Sequence, residues 1–260
     1  MAAEKASTKK KTVTKTVKRK VTTKSSATVA KDMVFNAPLG ALFGELVGTF
    51  LLTAVVITRQ GDPVIVLFAL AAIVLIVGNL SGGHVNPAIT FGAWVTRKIS
   101  TLRAVGYILF QMFGAMLAYV ALTGLLGGQE AQMNPYTGEE VKAQLFAVSP
   151  IALGQEWFVF WASLLGMSVF GFAVASAMRE TKDKFAAAFA VGGGLAIGLF
   201  IAGASGILNP AVAVGLQAFT DLKTQELQFA ILGHVIAPLI GSAIGFFLYD
   251  VFRKDADTSK

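Results

Sequence analysis

Two Asn-Pro-Ala tripeptides, Asn86-Pro87-Ala88 and Asn209-Pro210-Ala211, stand inside the two longest uncharged runs of this 260-residue chain. Asn is a strong helix N-cap, and Pro suits the first helical position because its missing N–H would be unpaired there anyway. Each tripeptide therefore starts a new helix within an apolar stretch. Each Asn amide also carries both a hydrogen-bond donor and an acceptor, a chemistry that needs no covalent step. Other reactive groups are sparse. The chain has no Cys and two His, His84 and His234. That excludes a thiolate nucleophile, a disulfide framework and a Cys-ligated metal site. Two isolated imidazoles do not make a metal centre either. The spans contain no nucleophile–base pair, so the reading is a non-enzyme with no metal and no cofactor.

The elements that must position these residues are apolar and long. Hydrophobic residues make up 55% of the chain and charged ones 14%, against about 25% charged in a soluble domain. Mean hydropathy is +0.66. A helix needs about 20 apolar residues to cross the hydrocarbon core. Six segments qualify: 39–58 (with one charge, Glu45), 64–96, 104–127, 157–178, 185–220 and 227–249. Two are too long for one crossing, because the 36 residues of 185–220 would measure about 54 Å as continuous helix. The Asn-Pro-Ala tripeptides interrupt those two runs and leave half-length helices behind them. Backbone broken at membrane depth is tolerated where it is buried in protein or lines a water-filled cavity.

The two halves repeat. Each reads as span, span, half-helix, span, and GNLSGGHVNPAITFGAWV in the first resembles AGASGILNPAVAVGLQAF in the second. Three full crossings per half invert the second half, so the half-helices enter from opposite faces and meet near the midplane. The expected fold is an all-α membrane protein with six transmembrane helices and two re-entrant half-helices in an inverted repeat. The expected limits are a basic disordered tail over 1–36, a channel domain over 37–250 with halves at about 37–127 and 150–250, and a cytoplasmic C-terminal tail over 251–260.

Charge sets the orientation. Residues 1–32 hold ten Lys/Arg and two acids, Glu4 and Asp32. This Lys/Thr/Ser-rich tail has no aromatic residue and cannot bury a core. It suits anionic lipid headgroups at a cytoplasmic face better than nucleic acid. It is not read as a secretory leader, because no short apolar stretch with a small-residue cleavage site follows it. If the tail is cytoplasmic, Arg97, Lys98, Arg103, Arg179, Lys182, Lys184, Arg253, Lys254 and Lys260 share its side. Only Arg59, Lys142 and Lys223 fall on the other. Both termini are then inside, and the expectation is an integral protein of the plasma membrane.

The paired boxes, together with GELVGTFLLT (44–53), SGGHVNPAITFG (81–92), QMFGA (111–115) and APLIGSAIGFFLYD (237–250), resemble the major intrinsic proteins, the aquaporin and aquaglyceroporin family. The resemblance covers about 38–250. It implies a passive pore for water and small neutral solutes, assembled as a homotetramer, with Asn86 and Asn209 donating to water at a midplane point where cations and protons are refused. It also implies that Glu45 accepts hydrogen bonds from the 82–85 loop, with His84 bracing that loop or the pore mouth. The corresponding acid of the fourth span falls near Phe160. The nearest acid is Glu156, which either takes that role or leaves the second loop without an acidic anchor. Gly40, Gly44 and Gly48 on the first span, and Gly241 and Gly245 on the sixth, read as close-packing positions.

Most family members carry Arg directly after the second Asn-Pro-Ala, and here that residue is Val212. The resemblance places Val66 and Gly206 at two more positions of the outer constriction. The fifth-span position is Ile197, Phe200 or Ile201, because the stretch before Asn209 is about eight residues shorter than the common pattern. This filter is wide, apolar and uncharged, like that of plant vacuolar members that pass urea and peroxide besides water. The alternatives are a facilitator mainly for glycerol, urea, ammonia or hydrogen peroxide, and a poorly conducting structural membrane protein.

Overall fold

A computed structural model describes residues 38–127, 132, 133, 135–141, 145–180, 182–203, 206–220 and 222–258. The expectations for residues 1–36 lie outside these.

The six expected spans are present. They are α1 (Leu39–Thr58), α2 (Pro63–Ser81), α4 (Thr101–Gly127), α5 (Glu156–Glu180), α6 (Lys184–Ala202) and a last span of α8 (Thr224–Ile231) and α9 (Ala237–Thr258), joined by a π-helical turn at Leu232–Ile236. The two half-helices are α3 (Pro87–Val95) and α7 (Pro210–Gly215). Among the described residues the connection between α4 and α5 carries only a two-residue ladder, with Gln132 opposite Val141 and Met133 opposite Glu140. Helix starts follow local chemistry. Asp62 accepts from the Val64 and Ile65 amides ahead of α2, and Asp183 does the same for Phe185 and Ala186 ahead of α6. Each satisfies amides that a helix N-terminus leaves without an intrahelical partner.

Packing follows the repeat. α1 packs on α4 as α5 packs on α9, and α1 on α2 as α5 on α6. The half-helices cross over: α3 packs against α9 of the other half, and α7 against α4. Each half is thus closed by the other's short helix. Glycine permits the closest approaches. Gly114 leaves no room for a side chain against the Leu46 carbonyl, and Gly241 none against the Leu164 carbonyl. Gly48 and Gly245 are equally close to neighbours, Gly44 is in looser contact with Leu80 and Ser81, and Gly40 faces open space.

One ion cluster ties three elements together. Lys98, just beyond α3, donates to both oxygens of Asp250 on α9 at 3.0 and 2.8 Å, and Arg179 of α5 lies 3.2 Å from the same carboxylate. The Lys98 side chain is only 8% exposed, so Asp250→Asn would leave a nearly buried ammonium short of its partner. A fully buried pair costs about 3–5 kcal/mol to break, and this partly wetted one should cost about 2. The expected result is a lower thermal midpoint in detergent, with Lys98→Met restoring much of the loss in the double variant. An unchanged midpoint would show that the cluster contributes nothing to closure.

Candidate functional site

The chain segments before both half-helices meet inside the protein. Asn86 caps α3 through Oδ1, which accepts from the Ala88 amide at 2.8 Å. Asn209 caps α7 in the same way, accepting from Ala211 at 3.1 Å and Val212 at 3.4 Å. The other end of each amide reaches across the repeat. Asn86 Nδ2 donates to the Leu208 carbonyl at 3.0 Å, and Asn209 Nδ2 donates to the Val85 carbonyl at 2.9 Å. This explains the residue type. The position needs an acceptor for its own helix and a donor for the opposite loop, and the Asn amide carries both. Each Nδ2 keeps a second N–H, and both residues line the same cavity.

That cavity has a volume of about 550 Å³. It extends from Val85, Asn86 and Asn209 to Gln60 and Asp62, between α1 and α2, and to Phe146 and Val148 of the α4–α5 connection. Its walls are mostly apolar, with Gln60, Asp62, His84, Asn86 and Asn209 as the polar lining, and none of its described lining residues is Lys or Arg. Val66 (2% exposed) and Val212 (4%) both line it, as does Gly206. Val212 therefore faces the cavity with no fixed charge.

Of the three fifth-span candidates, Phe200 lines the cavity and Ile197 and Ile201 do not. Ile197 is 54% exposed and does not line the cavity. Leu195 and Leu199, four residues apart, face inward, and Phe200 lines the cavity beside them. At about 100° per residue, Ile197 points away from the face that Leu195 and Leu199 share. Ile201 is half-buried outside the lining. Phe146 and Val148 were not foreseen, because an irregular segment has no periodicity to show which way it points.

The 82–85 loop is held by a buried polar cluster. Glu45, fully buried on α1, accepts from the His84 amide at 3.0 Å and from the Val85 amide at 2.6 Å. Gln111 of α4 donates to Glu45 at 2.6 Å and to the Thr90 hydroxyl at 2.9 Å. The His84 ring meets the same hydroxyl through Nδ1 at 3.2 Å and stands edge-on to Tyr107, whose hydroxyl donates to the Ser81 carbonyl at 2.6 Å. Val85 has φ 41°, a left-handed conformation rare for a β-branched residue. Hydrogen bonds on both its amide and its carbonyl hold it there. Gln111, Thr90 and Tyr107 were missed as a cluster. Their signal was a polar side chain inside an uncharged span.

The second loop has no matching acid. Glu156 is the first residue of α5, and its Oε1 accepts from the Gly154 amide at 3.0 Å. It bonds to nothing in the 206–208 loop among the described residues. The position was also misjudged. Gly114 abuts the Leu46 carbonyl and Gly241 the Leu164 carbonyl, so Leu46 matches Leu164. Glu45 of Glu-Leu-Val-Gly then falls on Ser163 of Ser-Leu-Leu-Gly, three residues beyond Phe160. His234 lies apart from the cavity, buried beside Phe219 with Nδ1 unpartnered. Among the described residues no group of His, Asp and Glu could hold a metal ion.

Comparisons with known proteins agree with this arrangement. A family model described as "Major intrinsic protein" matches residues 63–249. Aquaporin TIP1-1 of Zea mays is 31% identical over 186 residues, covering 71% of this chain and 68% of the relative. Nodulin-26 of Glycine max is 26% identical over 250 residues, covering 90% and 86%. The X-ray structure of the aquaglyceroporin from Plasmodium falciparum superposes with a TM-score of 0.63 at 21% identity, covering 85% of this chain and 99% of that one. That last likeness concerns the fold.

Proposed function

The chain belongs to the major intrinsic protein family, and we propose that it conducts water and small neutral solutes passively while refusing ions and protons at Asn86 and Asn209. Members of this family are membrane channels for water or small solutes, not enzymes, and this chain is an integral membrane protein. The observation that carries the finer reading is the pair of crossed Asn amides at one end of a cavity with no Lys or Arg in its described wall. A water entering there gives its oxygen to the spare Nδ2 hydrogens. Its own hydrogens then point away along the pore, which interrupts a proton wire. A cation meets the N–H ends of two half-helices and the same amide donors, and sheds its hydration where Val66 and Val212 make the wall apolar. Neutral solutes escape both penalties.

Val212 supports the second reading, a facilitator whose main cargo is glycerol, urea, ammonia or hydrogen peroxide. Without a guanidinium there, the outer constriction keeps neither its usual bulk nor its usual charge. The roles assigned to Val66, Gly206 and Val212 as filter, and to Glu45 and His84 as loop support, belong to this proposal. So do the homotetramer, the lipid-bound 1–36 tail, the channel domain over 37–250, the plasma membrane and the cytoplasmic termini. The charge count favours that topology. The shallow burial of α2 and α4, 28% and 22% of their apolar windows, leaves ample surface for neighbouring copies and lipid.

Two results test the proposal. Osmotic water flux in proteoliposomes should be unchanged by a protonophore or by collapse of a sodium gradient, and dependence on either gradient would contradict a passive pore. Mercuric chloride should not inhibit, because the chain has no thiol to attack. Inhibition that a thiol reductant reverses would be incompatible with this chain acting alone.

A further inference from the structure

The two halves differ behind their loops. In the first, Glu45 takes the His84 and Val85 amides, with Gln111, Thr90 and Tyr107 completing the cluster. The repeat gives each of these residues a counterpart. Ile207 and Leu208 stand before Asn209 as His84 and Val85 stand before Asn86, and Ala213 matches Thr90. The Gly114–Gly241 match puts Pro238 opposite Gln111 and His234 opposite Tyr107. Ser163 stands opposite Glu45.

This second set builds no cluster. The Ser163 hydroxyl is fully buried without a partner, and so is His234 Nδ1. Ile207 and Leu208 are 7% and 1% exposed, yet their amides find no acceptor among the described residues. A serine is too short to reach two amides as the Glu45 carboxylate does, and Pro238 and Ala213 bring no side-chain donor or acceptor. The 206–208 loop is fixed from the pore side, where Asn86 holds the Leu208 carbonyl. From behind, the Gly206 amide donates to the Gly203 carbonyl at 3.0 Å, but among the described residues nothing accepts from the Ile207 or Leu208 amide. The same loop carries Gly206 and leads into Val212, both in the cavity wall.

We propose that Ser163 is a specificity-determining position of the outer pore: by withholding the acceptor that the Ile207 and Leu208 amides need, it leaves this wall adjustable and lets neutral solutes bulkier than water pass. The first-half loop stays rigid and keeps the Asn86 donor in place for ion refusal, while the second yields. The inference rests on the solute-channel reading above, but one of its two tests does not.

Amide hydrogen exchange on the full chain in lipid nanodiscs should show Ile207 and Leu208 exchanging at least about tenfold faster than His84 and Val85, since exchange reports local opening. Equal protection in both loops would overturn the proposal whatever the pore conducts. Ser163→Glu should slow exchange at Ile207 and Leu208 and lower the glycerol-to-water permeability ratio about threefold or more in proteoliposomes. Slowed exchange with an unchanged ratio would refute the specificity role. Ser163→Ala keeps the acceptor absent, so exchange and ratio should stay within about twofold of the parent. A changed ratio in that variant would mean that the hydroxyl itself acts, and would also overturn the proposal if Ser163→Glu fails to insert. A parent chain that passes neither water nor glycerol would instead refute the channel reading and leave the exchange comparison intact.

Discussion

Val212→Arg should lower urea and glycerol permeability about tenfold or more, equivalent to about 1.4 kcal/mol of added barrier, while water permeability falls far less. Val212 is 4% exposed and faces the cavity beside Val66 and Gly206. A guanidinium at that point projects into the open volume, because the packed α7 behind it has no space to spare. Asp62 and Gln60 line the same cavity and give it polar partners. Its five N–H donors and fixed charge then narrow an opening that Val leaves wide. Water still fits and finds new donors. Urea and glycerol lose clearance, and any cation leak should drop because a charge among apolar walls acts through a lower effective dielectric. Paired water and solute measurements on the same liposome preparation check this. A solute-to-water ratio that stays put would mean that Val212 does not line the constriction.

The largest stability effect is expected at Glu45. Glu45→Ala removes the acceptor of the His84 and Val85 amides and of Gln111, all deep in the protein. Charge-assisted hydrogen bonds contribute about 1.5–3 kcal/mol each, and their orphaned donors stay buried. A total of about 4 kcal/mol is expected, which at 2–4 °C per kcal/mol lowers the melting point by about 10 °C. Glu45→Gln keeps one acceptor oxygen and should lose less than half as much. The readout is thermal unfolding in detergent, with aggregation followed in parallel because membrane proteins often unfold irreversibly. If Glu45→Ala melts with the parent, the cluster does not hold the loop.

The fold was legible because its strongest signals are local. An uncharged run of about 20 residues has one stable form in lipid, and Asn-Pro starts a helix whatever surrounds it. The crossed Asn amides were not legible, since they join residues 122 and 124 positions apart. The fifth-span position stayed open among Ile197, Phe200 and Ile201 for a physical reason. A shortened stretch before Asn209 leaves the helical phase of α6 undetermined, and each residue of error turns a side chain by about 100°. The Phe160 estimate failed on register too. Only the glycine contacts of α4 and α9 fixed Ser163 as the counterpart of Glu45. Tertiary packing, not local sequence, decided both positions.

The central claim is that Asn86 and Asn209 pass neutral molecules and stop charge. Stopped-flow light scattering of proteoliposomes under an osmotic gradient, with a trapped pH dye reporting proton entry in the same vesicles, measures both halves of it. The account predicts fast water flux with proton leak no greater than in protein-free vesicles, and a higher leak once Asn86 or Asn209 is replaced by Asp. Water flux at the protein-free level, or a parent chain that carries protons as readily as its Asp variants, would contradict it.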